Sequence, residues 1–224
     1  MIRRLLSLFA LTCAAPAAAE TTHDNQAWVN ATLMGPVSGK VVYFAEVQPR
    51  FSERSGQLDM LLLRPAIGVK LSPTATLYQG YARVISPRDG APDLKEHRSF
   101  QQLSWLVGKP WGGEASSRTR LEQRWRADGD DVGIRLREMA RLEVPFRPGG
   151  KTAALVYAEA FFAFNDTDWG ARSGFDQLRS FVGVEANIGG ASTLEAGYLN
   201  QIVNQPAGRR RMNHVLSLTA FVRR

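Results

Sequence analysis

Ser117-Arg118-Thr119-Arg120-Leu121-Glu122-Gln123-Arg124-Trp125-Arg126 alternates with a period of two. On an extended chain, Arg118, Arg120, Glu122, Arg124 and Arg126 share one face, and Thr119, Leu121, Gln123 and Trp125 share the other. Five charges on one strand cannot face a dry core without partners, because unpaired buried charge is very costly. They face water, or a wet lumen where acids and bases pair. The solvated edge of a soluble sheet would explain one such strand and explains several poorly.

The same period runs outward in both directions. Downstream, Arg135, Arg137, Arg141 and Glu143 share a face with Met139, opposed by Ile134, Leu136, Ala140, Leu142 and Val144, with Glu138 as the exception. Upstream, Val42, Phe44, Glu46, Gln48 and Arg50 oppose Val41, Tyr43, Ala45, Val47 and Phe51. Leu61, Leu63, Ile67 and Val69 oppose Arg64, Gly68 and Lys70; Gln79, Tyr81 and Arg83 oppose Tyr78, Gly80, Ala82 and Val84. Further on, Tyr157 and Glu159 oppose Val156, Ala158, Ala160 and Phe162, and Gln177, Arg179, Glu185 and Asn187 oppose Leu178, Val182, Val184 and Ala186. Glu195 completes the acidic set. Segments of about 10 to 14 residues with this period match the roughly 9–11-residue strands of a transmembrane barrel. Soluble sandwich strands are shorter, about 5–6 residues.

Connections alternate in length. Short turns fall at residues 71–73, 145–150 and 188–191; longer polar ones fall at 52–57, 87–95, 166–173 and 205–211. Long on one side and short on the other is the bacterial arrangement, with the long loops extracellular. The expected fold is therefore all-β, a closed antiparallel transmembrane β-barrel of about ten strands, alternatively twelve. Even strand counts are the rule for bacterial single-chain barrels. Residues 40–224 form the barrel on this reading, with both of its ends on one side. Residues 20–39, around Trp28, are an N-terminal segment or a first strand.

The first 19 residues read as a signal peptide. Arg3 and Arg4 are the basic start, Leu5 to Ala15 the apolar stretch, and Ala17-Ala18-Ala19 the cleavage site. Cys13, the one cysteine, lies in that segment, so the exported chain has no disulfide or thiolate site. The formal charge is +7, or +5 without Arg3 and Arg4. Nucleic acid is not expected as a partner, because the basic residues recur singly at alternate positions rather than clustering with aromatics on a helix face.

In combination, several motifs resemble the outer-membrane barrel family called domain of unknown function 2490. They are Trp28; Glu46 with Arg50; Gly80-Tyr81; Arg98 with Gln101-Gln102; and Arg118 to Arg124. Arg135-Leu136-Arg137, Pro145, Glu159 with Asn165, Phe175 to Arg179 with Gly183, Gly197 to Gln201, and Asn213-His214 continue the series. The resemblance implies an outer-membrane barrel in a Gram-negative bacterium and no established activity. Phe221 is followed by Val222-Arg223-Arg224, a departure from the terminal aromatic common in such barrels.

The expected site is a lumen charge network of Glu46, Arg50, Arg118, Arg120, Glu122, Arg124, Arg135, Arg137, Glu159, Arg179, Glu185 and Glu195. It either passes anionic solutes or plugs a narrow barrel with ion pairs. No catalytic set is expected: of the histidines, His23 lies in the leader, His97 near a loop, and His214 is three residues from Ser217, a separation that puts them on opposite strand faces. A lipid-modifying hydrolase is the alternative reading. No metal or cofactor is expected, and Asp128, Asp130 and Asp131 read as a hairpin tip. Tyr43, Phe44, Trp105, Trp111, Trp125, Phe162, Phe164, Trp169 and Tyr198 are candidates for interfacial girdles. Arg209-Arg210-Arg211 is placed in an extracellular loop as a contact for lipopolysaccharide phosphates, with a solvated charge run or an inverted topology as the rivals. The partners expected are outer-membrane lipid, lipopolysaccharide and the barrel assembly machinery.

Overall fold

The computed structural model describes residues 21–52 and 56–224. The signal peptide and Cys13 lie outside the described residues. The chain is a meander of eleven strands closed into a barrel. In order they are β1 (Thr21–Ser38), β2 (Val41–Ser52), β3 (Leu58–Lys70), β4 (Ala75–Ser86), β5 (Leu94–Gly108), β6 (Glu114–Arg126), β7 (Val132–Pro145), β8 (Thr152–Ala163), β9 (Gly174–Gly189), β10 (Ser192–Asn204) and β11 (Arg210–Arg223). Each strand pairs antiparallel with its sequence neighbours. Closure is made by β1 and β11, which run parallel from Thr21↔Arg210 to Met34↔Arg223.

Eleven lies between ten and twelve, and the difference has a physical origin. The segment around Trp28 obeys the same alternation as the other strands. Trp28 and Thr32 are buried inside while Val29 is exposed outside. β1 therefore completes the wall. In an odd-numbered meander the first and last strands point the same way, so the seam is parallel. Val41 and Arg224 do lie on one side, and the added strand β1 carries the first described residue, Thr21, to the opposite end of the barrel. Thr21 stands with the connections that follow β2, β4, β6, β8 and β10, among them the ten-residue loop 164–173, and Arg224 with those that follow β1, β3, β5, β7 and β9, among them the two-residue turns 39–40 and 190–191. We call these the loop end and the turn end. The 109–113 connection belongs to the turn end and contains a short 3-10 turn at Pro110–Gly112.

The interior is packed. Trp28, Leu155, Phe181, Leu199 and Val215 form one apolar cluster, and Val42, Phe44, Tyr78 and Phe100 another. Glycines make room for the rings. A Cβ on Gly80 would stand 2.1 Å from Cζ of Phe100, and one on Gly183 or Gly197 would stand 2.6 Å from Cζ of Phe181. A large ring over a glycine on the same or a neighbouring strand fixes the local register of a curved sheet.

The outer face is mainly apolar, with Ile67, Val69, Leu77, Val156, Val182 and Leu216 exposed. β4 to β7 depart from this. Gln79, Gln101 and Gln123 bond one to the next in an outward amide ladder, at 2.9 and 3.0 Å. The outward carboxylate of Glu138 accepts the hydroxyls of Ser117 and Thr119, both at 2.5 Å. His97 bonds Tyr81 and Arg83. The polar members of β4 thus face out while Tyr78, Gly80, Ala82 and Val84 face in, because the ring-and-glycine packing at Phe100 claims the interior.

Gly80→Ala should lower the stability of the refolded barrel by about 1–3 kcal/mol through overpacking. Urea midpoints measure this. Gly108→Ala, where a Cβ meets nothing within 4 Å, should stay within roughly 0.5 kcal/mol of the parent, and Phe100→Leu should relieve part of the Gly80→Ala loss.

Candidate functional site

Alternation on β5 to β9 turns arginines and glutamates inward in successive rows, and the pairing registers bring them together. Glu122 lies directly across from Arg135, and Glu159 across from Arg179 on one side and Met139 on the other. Arg135 Nη2 donates to Glu122 Oε2 at 2.6 Å, and Arg137 Nη1 to Glu122 Oε1 at 2.9 Å. Arg137 also reaches Glu159 at 2.7 Å, where Arg118 arrives at 2.8 Å and Arg179 at 3.6 Å. Glu122 and Arg120 are each only 1 % exposed. Arg120 donates to Gln102, lies 3.8 Å from Glu122 and sits 4.5 Å above the Phe100 ring. Phe161, fully buried, takes Arg135, Arg137 and Arg179 around its ring at 4.6 to 5.3 Å.

Three satellites extend the knot. Glu96 holds Arg98 at 2.9 Å and also holds Arg124. Glu46 holds Arg64 at 3.1 Å. Arg141 joins Glu195 at 2.6 Å, Glu143 at 3.3 Å and Glu185. All twelve lumen residues expected from the sequence line the interior. Arg64, Glu96, Arg98, Gln102 and Arg141 belong to it equally and were not among them. Arg64 and Arg141 stood on faces already read as polar. Glu96, Arg98 and Gln102 alternate with Phe100 on β5, a period-two signal in a strand whose faces had not been assigned.

The knot divides the interior into two cavities. One, of about 420 Å³, opens at the loop end; the other, of about 540 Å³, opens at the turn end. Trp28, Arg50, Arg64, Arg137 and Arg179 line both and form the partition. Among the described residues, the loop-end cavity is lined by nine arginines against Asp59, Glu96 and Asp176, and the turn-end cavity by seven arginines against six glutamates.

The 164–173 loop folds over the loop-end mouth. Trp169 is buried, with the Arg124 and Arg126 guanidinium groups 5.0 and 5.1 Å from its ring. Its Nε1 donates to the Asp131 carbonyl at 2.8 Å, and the Asp168 carboxylate accepts the Asp130 and Asp131 N–H groups. The aspartates of the 127–131 tip are thus partners of this loop. Trp169 and Phe44 are interior residues, not members of a girdle. Arg209-Arg210-Arg211 does not form one surface. β11 already begins at Arg210, and although all three are exposed, Arg211 alone lines the loop-end cavity. His214 faces outward, bonded to Tyr198 and His23, and Ser217 faces inward.

The family model described as "Protein of unknown function (DUF2490)" matches residues 25–213. The chain belongs to the DUF2490 family. It is also 48 % identical over 220 residues to an uncharacterised protein of Methylorubrum extorquens, covering 98 % of this chain and 96 % of that one. No solved structure matches. The DUF2490 match begins within β1 and ends within β11, so it takes in both strands of the parallel seam.

Two outcomes follow for this DUF2490 barrel. Glu159→Ala leaves Arg118 and Arg179 without a carboxylate and Arg137 with Glu122 alone, and breaking a buried pair costs about 3–5 kcal/mol. Leu121→Val, on the outer face, should cost under about 1.5 kcal/mol. Denaturant unfolding of the two variants measures the difference. The second outcome concerns acid. Backbone N–H donors, that of Asp130 foremost, hold the Asp168 carboxyl below its ordinary value, and the N–H of Ser173 does the same for Asp166. A depressed folded value contributes stability above the unfolded value, near pH ~3.9, that is lost as pH falls through the folded one. Amide protection at Asp130, Asp131 and Ser173, measured relative to the intrinsic exchange rate at each pH, should therefore fall on acidification, with the Asp130 and Asp131 step absent in Asp168→Asn.

Proposed function

We propose that this is an exported outer-membrane β-barrel with its longer loops extracellular. Its lumen is closed at mid-height by the Arg/Glu knot, and its role is structural or one of gated solute passage. The carrying observation is the inverted distribution of residues. Charges are buried inside a closed barrel, and large apolar side chains cover the outside. Only a surrounding apolar medium makes that arrangement favourable, and strands of 12 to 18 residues suffice to cross one.

Exposed aromatics support the reading. Phe51, Trp125, Phe164 and Phe175 stand toward the loop end; Trp105, Trp111 and Phe146 stand toward the turn end. On β6 the level of Trp105 is that of Ser117, eight residues from Trp125. That is about 26 Å along the strand at ~3.3 Å per residue, or about 20 Å of height at a tilt of ~40°, somewhat less than the apolar band of about 25 Å in such barrels. With the loop end outward, the exposed Arg209 and Arg210 are the residues proposed to meet lipopolysaccharide phosphates, and Arg211 lines the loop-end cavity instead.

Cell fractionation should recover the protein in the outer membrane, migrating faster unheated than boiled. Recovery from the soluble periplasm would discard the membrane reading. In planar bilayers the refolded chain should show no steady conductance. A constant ohmic current from the parent protein would discard the closed lumen and leave the membrane location standing.

A further inference from the structure

Arg50 is the anomaly of the interior. It is 8 % exposed and lies on the partition, yet among the described residues no carboxylate pairs with it. Its Nε and Nη2 donate to the neutral side-chain oxygen of Gln48, at 3.3 and 2.7 Å, and its guanidinium lies 3.7 Å over the Trp28 ring. Arg179 converges on the same indole at 5.0 Å. Its Nε has no partner, and its one carboxylate contact, Glu159 at 3.6 Å, is already taken by Arg137 and Arg118 at shorter range. Two guanidinium groups thus share one aromatic ring at the floor of a cavity that already has an excess of arginine.

Every other buried arginine among the described residues has a carboxylate within 4 Å. Here the counter-charge is missing where the cavity is, and burying like charges together is costly unless something neutralises them. We propose that the loop-end vestibule binds a phosphate group, free or as the ester of a small polar solute, between Arg50 and Arg179 above Trp28. The site rests on the charge imbalance and holds whether or not the lumen conducts. Guanidinium groups meet phosphate in bidentate, charge-assisted geometry. The cavity of about 420 Å³ is of small-ligand size. Its wall carries a neutral relay suited to the rest of such a solute. Asn213 Nδ2 donates to Gln201 at 2.9 Å, Gln201 donates to Gln177, and Asn213 Oδ1 is buried with no partner. Those amides can meet hydroxyl groups, and Trp169 with its loop stands over the entrance.

The test is calorimetric titration of inorganic phosphate, and separately of a hexose phosphate, into the refolded full-length barrel in micelles at fixed ionic strength set with sodium chloride. Saturable 1:1 binding is expected, at least tenfold weaker in Arg50→Gln and in Arg179→Gln and unchanged in Arg210→Gln on the outer face. Arg50→Lys keeps the charge and loses the fork, and should bind at intermediate strength. Saturation by the ester alone identifies a bound solute; saturation by both identifies the phosphate group itself.

A purely structural role for Arg50 makes the opposite prediction. Arg50→Gln would then unfold at lower urea in phosphate-free buffer. The site predicts a midpoint no lower than the parent's, and loss of the phosphate-dependent rise the parent shows. Non-saturable uptake by the heat-modifiable parent, or equal affinity in parent and Arg50→Gln, overturns the site. Saturable binding by a protein recovered outside the outer membrane keeps the site and discards the membrane reading.

Discussion

Glu122 and Glu159 between them hold Arg118, Arg120, Arg135, Arg137 and Arg179. Once the sheet closes, every second residue of every strand is committed to a narrow interior. An arginine there has no bulk water to retreat to, so its placement depends on a carboxylate within reach. The two glutamates sit on β6 and β8, on either side of β7, which supplies Arg135 and Arg137. Slipping β7 by one residue would send both arginines to the apolar exterior, taking from Glu122 its two closest partners and from Glu159 its closest, which is how a buried ionic network fixes register. Its net contribution to stability is a separate matter, since desolvation offsets much of the attraction. What the knot secures is one alignment of three strands.

The apolar half of the interior works by a different rule. Trp28, Phe100, Phe161 and Phe181 fill the lumen where the strands carry glycine or alanine, and arginines lie over three of the four rings. Each guanidinium thereby gains a ring face as well as a carboxylate or amide partner. The packing also explains the polar patch outside β4 to β7. Tyr78 and Phe100 occupy the interior rows of β4 and β5, so Gln79, Gln101 and Gln123 face outward and satisfy one another across the strands. A self-bonded amide ladder exposes fewer free donors than three separate amides would.

Much of this was legible in the sequence because a period of two carries so directly onto a sheet. Arg118 to Arg126 and Arg135 to Glu143 gave the inward face, and Glu138 was visible as the exception that now proves to be an outward carboxylate capped by Ser117 and Thr119. The strand count was not legible from parity. The even-number rule describes barrels whose ends meet antiparallel, and only the inward Trp28, packed on Leu155, Leu199 and Val215, shows that residues 21–38 are wall rather than extension. Nor was the division of labour among the arginines legible. Alternation says that Arg50 and Arg124 face inward alike; only the register says that Arg124 reaches Glu96 while Arg50 reaches Gln48. Aromatic residues were ambiguous for a similar reason, since Phe44 and Trp105 carry the same chemistry and differ only in which face the strand turns.

The register also polarises the lumen along its axis. Glu143, Glu185 and Glu195 gather around Arg141 near the turn end, whereas the loop end keeps an excess of guanidinium groups over carboxylates. Fixed charges between low-dielectric walls concentrate the field along the cavity and raise the local concentration of the opposite ion. An anion at the loop-end mouth therefore meets a potential that draws it inward as far as the Trp28 floor. Beyond that floor the carboxylates of Glu159, Glu185 and Glu195 face it, and the attraction ends. A lumen balanced throughout would be a plug and nothing more. This one carries seven arginines against six glutamates around the turn-end cavity but nine against three acids around the loop-end cavity, so the Arg/Glu chemistry that fixes the strand register also leaves uncompensated positive charge on one side of the knot.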